Sequence, residues 1–89
     1  MPDRSGSGQR LTVLVSGDCP GCGTARSVAA DVARALPAVE VEVVDVDLHG
    51  VPSGLAFVGT PTYVLDDRVV SLGNPRAEDL VTLIDGARR

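Results

Sequence analysis

The feature that most restricts the fold is a change of hydrophobic pattern from strand to helix and back to strand over residues 11–48. Residues 11–15 (LTVLV) form a short, nearly all-apolar run, which predicts a strand covered on both faces. From residue 20 onward, apolar side chains recur every three or four positions, which predicts an amphipathic helix that ends before Pro37. Residues 39–48 alternate apolar and acidic side chains at their start, which predicts a second strand with a more exposed end. Because a helix long enough to cross over joins the two strands, we expect a parallel pair.

The second half of the chain carries a hairpin signal preceded by a segment with little regular pattern. Residues 62–65 and 68–72 are strand-like runs, and Asp66 and Asp67 between them are a two-residue turn signal. These runs predict a β-hairpin. The segment before the hairpin contains prolines and glycines, and it leaves room only for a short helix around residues 53–57.

A final helix is predicted after the hairpin. Asn74 is a suitable N-cap residue, Pro75 suits the first helical position, and apolar residues recur behind them. The predicted order of elements is therefore β-α-β-(short α)-β-β-α. This order predicts an α/β fold, with a central mixed sheet of about four strands and helices packed on it.

Length and composition fit one small domain. Residues 1–10 are polar and rich in Ser and Gly, so we expect a disordered leader there and a single domain over residues 11–89. Hydrophobic residues make up 44% of the 89 residues, which excludes a disordered chain. Because the leader lacks the apolar stretch of a signal peptide, we expect a cytoplasmic protein.

The charge pattern argues against nucleic-acid and membrane partners. The net charge is −4, lysine is absent and the arginines are scattered, so nothing would neutralise a row of phosphates. The apolar runs are also too short to span a membrane. We therefore expect neither a nucleic-acid nor a membrane partner. We also expect the protein to be a monomer.

Both cysteines of the chain, Cys19 and Cys22, lie at the junction of the first predicted strand and helix. There the first sulfur lies in the loop and the second in the first helical turn, close enough to form a small disulfide. The N–H groups at the helix N-terminus favour a thiolate on Cys19. Cys19 would attack a substrate disulfide, and Cys22 would release the product by attacking the mixed disulfide. The Asp18 carboxylate opposes thiolate formation, which predicts a reducing rather than a strongly oxidising pair.

These motifs resemble those of the thioredoxin-like superfamily, in particular its small, glutaredoxin-sized members. The resemblance rests on the Cys-Pro-Gly-Cys motif at residues 19–22, on the Gly-Thr-Pro-Thr motif at residues 59–62, and on the order of elements over residues 11–86. It implies a thioredoxin-like fold and a thiol–disulfide oxidoreductase activity. It also implies a cis peptide bond between Thr60 and Pro61.

The resemblance further implies roles for the residues around the cysteine pair. Thr60 and Pro61 would shape the groove for an extended substrate, Pro20 would restrict the turn between the cysteines, and Gly21 would leave its surface open to a partner. The implied partners are a protein that contains a disulfide and an electron donor. No cofactor is implied, and glutathione would be an alternative donor that binds through Arg76.

Two other functions remain open for the same cysteine pair. The chain also resembles heavy-metal-associated domains, copper or mercury carriers whose Cys-x-x-Cys lies between the first strand and the first helix. Those carriers need a tight hairpin soon after the second strand, where this chain has a long irregular segment. The second alternative is a non-catalytic binding module of thioredoxin-like fold, since a fold alone does not fix a function.

A few further polar residues have two interpretations each. Asp45 and Asp47 follow the second strand, where they are either solvated carboxylates or a proton relay to Cys22. We interpret His49 as a solvated loop residue, with a proton shuttle as the alternative. Tyr63 would belong either to the core or to the wall of the substrate groove.

Overall fold

The computed structural model describes residues 9–17, 19–51 and 59–87. Within these ranges the order of elements is β-α-β-α-β-β-α, and the helix after β2 is not the one predicted around residues 53–57. The elements are β1 (Arg10–Val15), α1 (Cys22–Ala35), β2 (Glu40–Asp45), α2 (Val46–His49), β3 (Thr62–Leu65), β4 (Arg68–Leu72) and α3 (Ala77–Ala87).

The strands of the described residues form one four-stranded mixed sheet in the order β2-β1-β3-β4. β1 is parallel to β2 and antiparallel to β3, and β3 is antiparallel to β4, which confirms the predicted parallel pair and hairpin. The register pairs Val15 with Asp45 and Leu14 with Thr62. The C-terminal ends of β1 and β2 therefore lie at the same end of the sheet as the beginning of β3.

The main core lies between one face of the sheet and the two long helices. Alternate residues of β1 and β3 point to this face, and α1 and α3 pack against it and against each other because each presents a buried apolar stripe. The members of this core cluster that are less than 4% exposed are Leu11, Val13, Val15, Ala25, Ala29, Val32, Tyr63, Leu80 and Ile84. β1 is buried along residues 11–15, as its apolar run predicts.

The hairpin turn uses an aspartate where glycine is usual. Asp66 has a φ of 57°, in the left-handed region that Asp tolerates better than most residues. Its side-chain Oδ1 accepts a hydrogen bond from the backbone N–H of Arg10 at 3.0 Å, and its own N–H donates to the carbonyl of Arg10 at 2.8 Å. The turn is thus fastened to the start of the central strand.

The second strand is shorter than predicted, and a helical turn replaces its end. β2 stops at Asp45, because the Asp45 carboxylate accepts a hydrogen bond from the N–H of Asp47 at 2.9 Å and so caps α2. The prediction of a strand through residue 48 is therefore wrong. The short helix predicted around residues 53–57 lies outside the described residues.

The last helix begins later than its apparent start signal. α3 begins at Ala77, so the prediction that Asn74 caps it and Pro75 opens it is wrong. The Asn74 side chain is instead hydrogen-bonded to Gly21 and Tyr63, which lie far from it in the sequence. A side chain engaged in this way is not available to cap a helix.

Two residues assigned to the leader belong to the folded domain. Gln9 is buried and donates from Nε2 to the carbonyl of Ile84 at 3.1 Å, and Arg10 is the first residue of β1. The Arg10 guanidinium also lies 3.3 Å from Glu40 and 3.9 Å from Glu42, two exposed carboxylates of β2. The domain therefore starts at or before Gln9.

Candidate redox site

The two cysteines form a disulfide at the N-terminus of α1. Their Cα atoms are 5.3 Å apart and the Sγ atoms 2.19 Å apart. Cys22 is the first residue of α1 and is only 4% exposed, whereas Cys19 lies in the preceding loop and is half-buried. Of the two cysteines, Cys19 is therefore the more open to a partner molecule.

The first turn of α1 carries no acidic side chain that would oppose a thiolate, and Asp18 lies outside the described residues. The N-cap residue of the helix is Gly21, which makes no side-chain capping hydrogen bond, and the first turn contains no Asp or Glu. The N–H of Cys22 donates to the carbonyl of Cys19 at 3.2 Å, which holds Cys19 against the helix end. The positive end of the helix dipole thus favours a negative charge on Cys19 once the disulfide is reduced.

A carboxylate holds the loop between β1 and the cysteines. The Asp47 Oδ2 atom accepts a hydrogen bond from the N–H of Gly17 at 3.0 Å, and Asp45 in turn accepts from the N–H of Asp47. The structure thus gives both carboxylates backbone partners. Their place in the fold is to fasten the loop at the end of β1 to α2.

Ser16 connects the buried cysteine to the segment before β3. Its backbone N–H donates to the Sγ atom of Cys22 at 3.5 Å, and its hydroxyl is hydrogen-bonded to the Thr60 hydroxyl at 2.9 Å. Ser16 was not among the predicted site residues. Its position directly after an apolar strand and three residues before Cys19 is the signal that it lies at the site.

Thr60 and Pro61 lie beside the cysteine pair, and the peptide bond between them is cis. The carbonyl of Pro61 accepts a hydrogen bond from the N–H of Gly73 at 2.9 Å. A Cβ atom placed on Gly21 would lie 3.7 Å from the Pro61 Cδ atom, so the proline ring borders the turn between the cysteines. The fold therefore brings the Thr60-Pro61 step and the Cys-Pro-Gly-Cys turn (residues 19–22) together.

Asn74 links this turn to the core. Its Nδ2 atom donates to the carbonyl of Gly21 at 2.9 Å, and its Oδ1 atom accepts a hydrogen bond from the Tyr63 hydroxyl at 2.7 Å. Tyr63 is fully buried and therefore belongs to the core. Burial raises the pKa of Tyr63 to about 12. At neutral pH the hydroxyl is consequently protonated and acts as the donor.

The other polar candidates are two exposed side chains. His49 is exposed at the last position of α2, as expected of a solvated residue. Arg76, the residue considered for glutathione, is exposed before α3 and forms an ion pair with Glu78. Among the hydrogen bonds and ion pairs of the described residues, none joins either side chain to the cysteine pair.

A disulfide at the N-terminus of the helix that follows β1, in a mixed sheet of order β2-β1-β3-β4, is the arrangement of a thioredoxin-like domain. A family model described as a thioredoxin domain matches residues 9–85 of the chain. The chain belongs to this thioredoxin-domain family. The predicted fold class is confirmed, and the close cysteine pair supports thiol–disulfide redox chemistry in general.

Solved structures of low sequence identity share the fold. Chloroplastic thioredoxin z superposes with a TM-score of 0.70 at 17% identity, over 88% of this chain and 76% of the other. Oxidised thioredoxin O2 from Arabidopsis thaliana gives 0.60 at 13% identity, over 91% and 76%. The zinc-bound form of human ERp44 gives 0.74 at 13% identity, over 91% of this chain but only 27% of ERp44. A comparison with curated protein sequences gave no significant match.

The architecture also decides between the two folds considered for the cysteine pair. β2 is followed by α2 rather than by a tight hairpin, and it pairs with β1 in parallel. Together with the family match, this overturns the heavy-metal-associated fold. Within the described ranges, no helix is long and apolar enough to cross a membrane.

Proposed function

We propose that this protein is a thiol–disulfide oxidoreductase in which Cys19 is the nucleophile and Cys22 the resolving thiol. The observation that carries the proposal is the unequal exposure of two bonded cysteines at the N-terminus of a helix whose first turn contains no Asp or Glu. A partner disulfide has access to Cys19, whereas Cys22 is buried under the turn. The helix dipole favours the thiolate of the accessible sulfur.

The reaction starts from the reduced protein and transfers two electrons. The Cys19 thiolate attacks one sulfur of a substrate disulfide; a bond forms between that sulfur and Cys19, and the second substrate sulfur leaves as a thiolate. Cys22 then loses its proton to solvent and attacks the Cys19 sulfur. The Cys19–Cys22 disulfide forms, the first substrate sulfur leaves, and the substrate is now a dithiol.

The groups around Cys19 suit a protein substrate. Pro20 is exposed, and Gly21, Thr60 and Pro61 are half-buried beside the disulfide, so together they offer a shallow surface with little side-chain bulk. Such a surface fits an extended chain that carries the substrate disulfide. A thiol donor, either a dithiol protein or glutathione, returns the oxidised pair to the dithiol. A reducing compartment such as the cytoplasm provides such donors.

A redox equilibration tests this proposal. Purified, metal-stripped protein is equilibrated in a series of thiol–disulfide buffers, and the oxidised fraction of Cys19 and Cys22 is measured by alkylation and mass. We expect a single two-electron transition at roughly −180 to −280 mV, the range that isomerases, glutaredoxins and thioredoxins span. A pair that stays oxidised far below this range is a structural bridge, and a pair that never closes is not a redox site.

The helix dipole can be tested at the third residue of α1. Thr24 is exposed, and Thr24→Glu places a carboxylate in the first turn, where negative charge is itself stabilised by the helix. We expect the pKa of the Cys19 thiol to rise, because the added carboxylate repels the nearby thiolate and offsets part of the positive end of the helix dipole. The measurement is the pH dependence of Cys19 alkylation in a Cys22→Ala background.

Thr24→Gln is the matched control for this experiment, because it has nearly the same size as the glutamate variant and no charge. We expect its alkylation profile to follow that of Thr24. If the two variants give the same Cys19 pKa, the charge at the helix N-terminus does not act on Cys19.

A further inference from the structure

The carbonyl of Gly21 is the fixed point of the Cys-Pro-Gly-Cys turn. It accepts the first helical hydrogen bond of α1 from the N–H of Ala25 at 3.0 Å, and a second bond from the Asn74 Nδ2 atom at 2.9 Å. Asn74 lies 53 residues further along the chain. The turn that separates the two cysteines is thus tethered from outside its own helix.

Asn74 is itself held by the core. Its Oδ1 atom accepts from the hydroxyl of Tyr63, a residue of β3 with no exposed surface. The backbone next to it is also fixed, because the N–H of Gly73 donates to the carbonyl of Pro61 at 2.9 Å. Since the buried hydroxyl donates to Oδ1, the amide must present its NH₂ group to Gly21.

The Asn74 side chain also limits the size of the residue at position 21. Gly21 has a φ of −94° and a ψ of 1°, a conformation open to residues other than glycine. A Cβ atom at this position would lie only 3.0 Å from the Asn74 Nδ2 atom. A larger residue at this position would therefore push the Asn74 amide away from its present place, whereas the backbone conformation alone would accept it.

We propose that Asn74 is a positioning residue that holds Gly21, and through it the turn, in the geometry that brings Cys22 onto Cys19. This inference rests on the proposed thiol–disulfide exchange. The resolving step needs the Cys22 sulfur to reach Cys19 inside a mixed disulfide, and a tethered turn reduces the freedom that is lost in this step. The first attack by Cys19 on a substrate does not need the tether.

A two-step exchange with dithiobis(nitrobenzoate) separates these steps. Cys19 attacks the reagent and releases one coloured thiolate, and Cys22 then resolves the mixed disulfide and releases a second. In Asn74→Ala we expect the second release to slow about three- to tenfold, because this is the factor that the loss of one hydrogen bond typically causes. The first release is expected to keep the rate of the unmodified protein. Ile84→Val, which removes one buried methyl group of α3 and leaves the hydrogen bonds of Asn74 intact, controls for a general loss of stability and is expected to change neither rate.

Gly21→Ala provides an independent variant. The new methyl group displaces the Asn74 amide, so we expect the resolving step to slow as much as in Asn74→Ala. In the double variant the amide is already absent, and we expect the rate of either single variant rather than the product of both effects. Tyr63→Phe removes the hydroxyl that orients Asn74 and is expected to slow the same step by a smaller factor.

The outcomes separate this inference from the function on which it rests. If the unmodified protein releases fewer than two coloured thiolates, the proposed exchange itself is wrong. If it releases both and Asn74→Ala resolves at the same rate, Asn74 is not a positioning residue. Equal slowing of both steps, or multiplicative effects in the double variant, also contradicts the inference.

Discussion

Cys22→Ser is expected to accumulate a mixed disulfide at Cys19, whereas Cys19→Ser is expected to form none. Cys19 is the accessible sulfur at the end of α1, and Cys22 is only 4% exposed. Without the resolving thiol the reaction stops after the first exchange, so the covalent adduct persists. Incubation with a disulfide-containing protein, followed by non-reducing electrophoresis and mass measurement, detects the adduct and assigns the sulfur that carries it.

Serine is the suitable replacement at residue 22 because it leaves the surroundings nearly intact. Its hydroxyl can accept the hydrogen bond that the N–H of Ser16 donates to Cys22 in the native protein. A double variant without either thiol shows whether any adduct forms non-specifically. Equal yields of adduct from the two single variants would contradict the assigned roles.

Ile84→Ala is expected to lower the free energy of unfolding by about 2–5 kcal/mol. Ile84 has no exposed surface and joins α3 to the core between the sheet and α1. Its replacement removes buried apolar volume that a rigid interior cannot refill. For a domain of this size, roughly 5–15 kcal/mol stabilises the whole fold, so the loss is large. Urea denaturation of the oxidised protein measures it.

The preceding residue of the same helix gives a matched control. Leu83 is 43% exposed on the outer side of α3, and Leu83→Ala removes a similar volume without opening a cavity in the core. We expect this variant to cost under about 1 kcal/mol, as exposed substitutions usually do. Equal losses from the two variants would mean that the helix does not pack as described.

Local patterns in the sequence were enough to predict most of the fold. The apolar run of β1 marks a central strand, the 3.6-residue period marks α1, and two aspartates mark the hairpin turn, where Asp66 takes the left-handed conformation. The end of β2 was missed because its hydrophobic pattern continues into α2. Only the capping bond from Asp47 to Asp45 ends the strand.

The candidate site was predictable only in part, because some of its contacts join residues that are distant in the sequence. The spacing of Cys19 and Cys22 alone predicts a redox pair. The sequence around Asn74 predicts a helix cap, and the structure shows that Asn74 binds Gly21 instead. Its partners, Gly21 and Tyr63, are distant in sequence, and no pattern within one segment reports such a contact. Ser16 was missed similarly, since its hydroxyl meets Thr60 only in the folded chain.

The chain carries one tyrosine and no tryptophan. Aromatic absorption at wavelengths longer than those of phenylalanine therefore comes from a single ring. That ring is Tyr63, whose hydroxyl is one hydrogen bond from Asn74 and two from Gly21 between the cysteines. Its fluorescence and circular dichroism therefore act as a built-in optical probe next to the disulfide. Reduction of the protein can be followed at this probe without attaching a label.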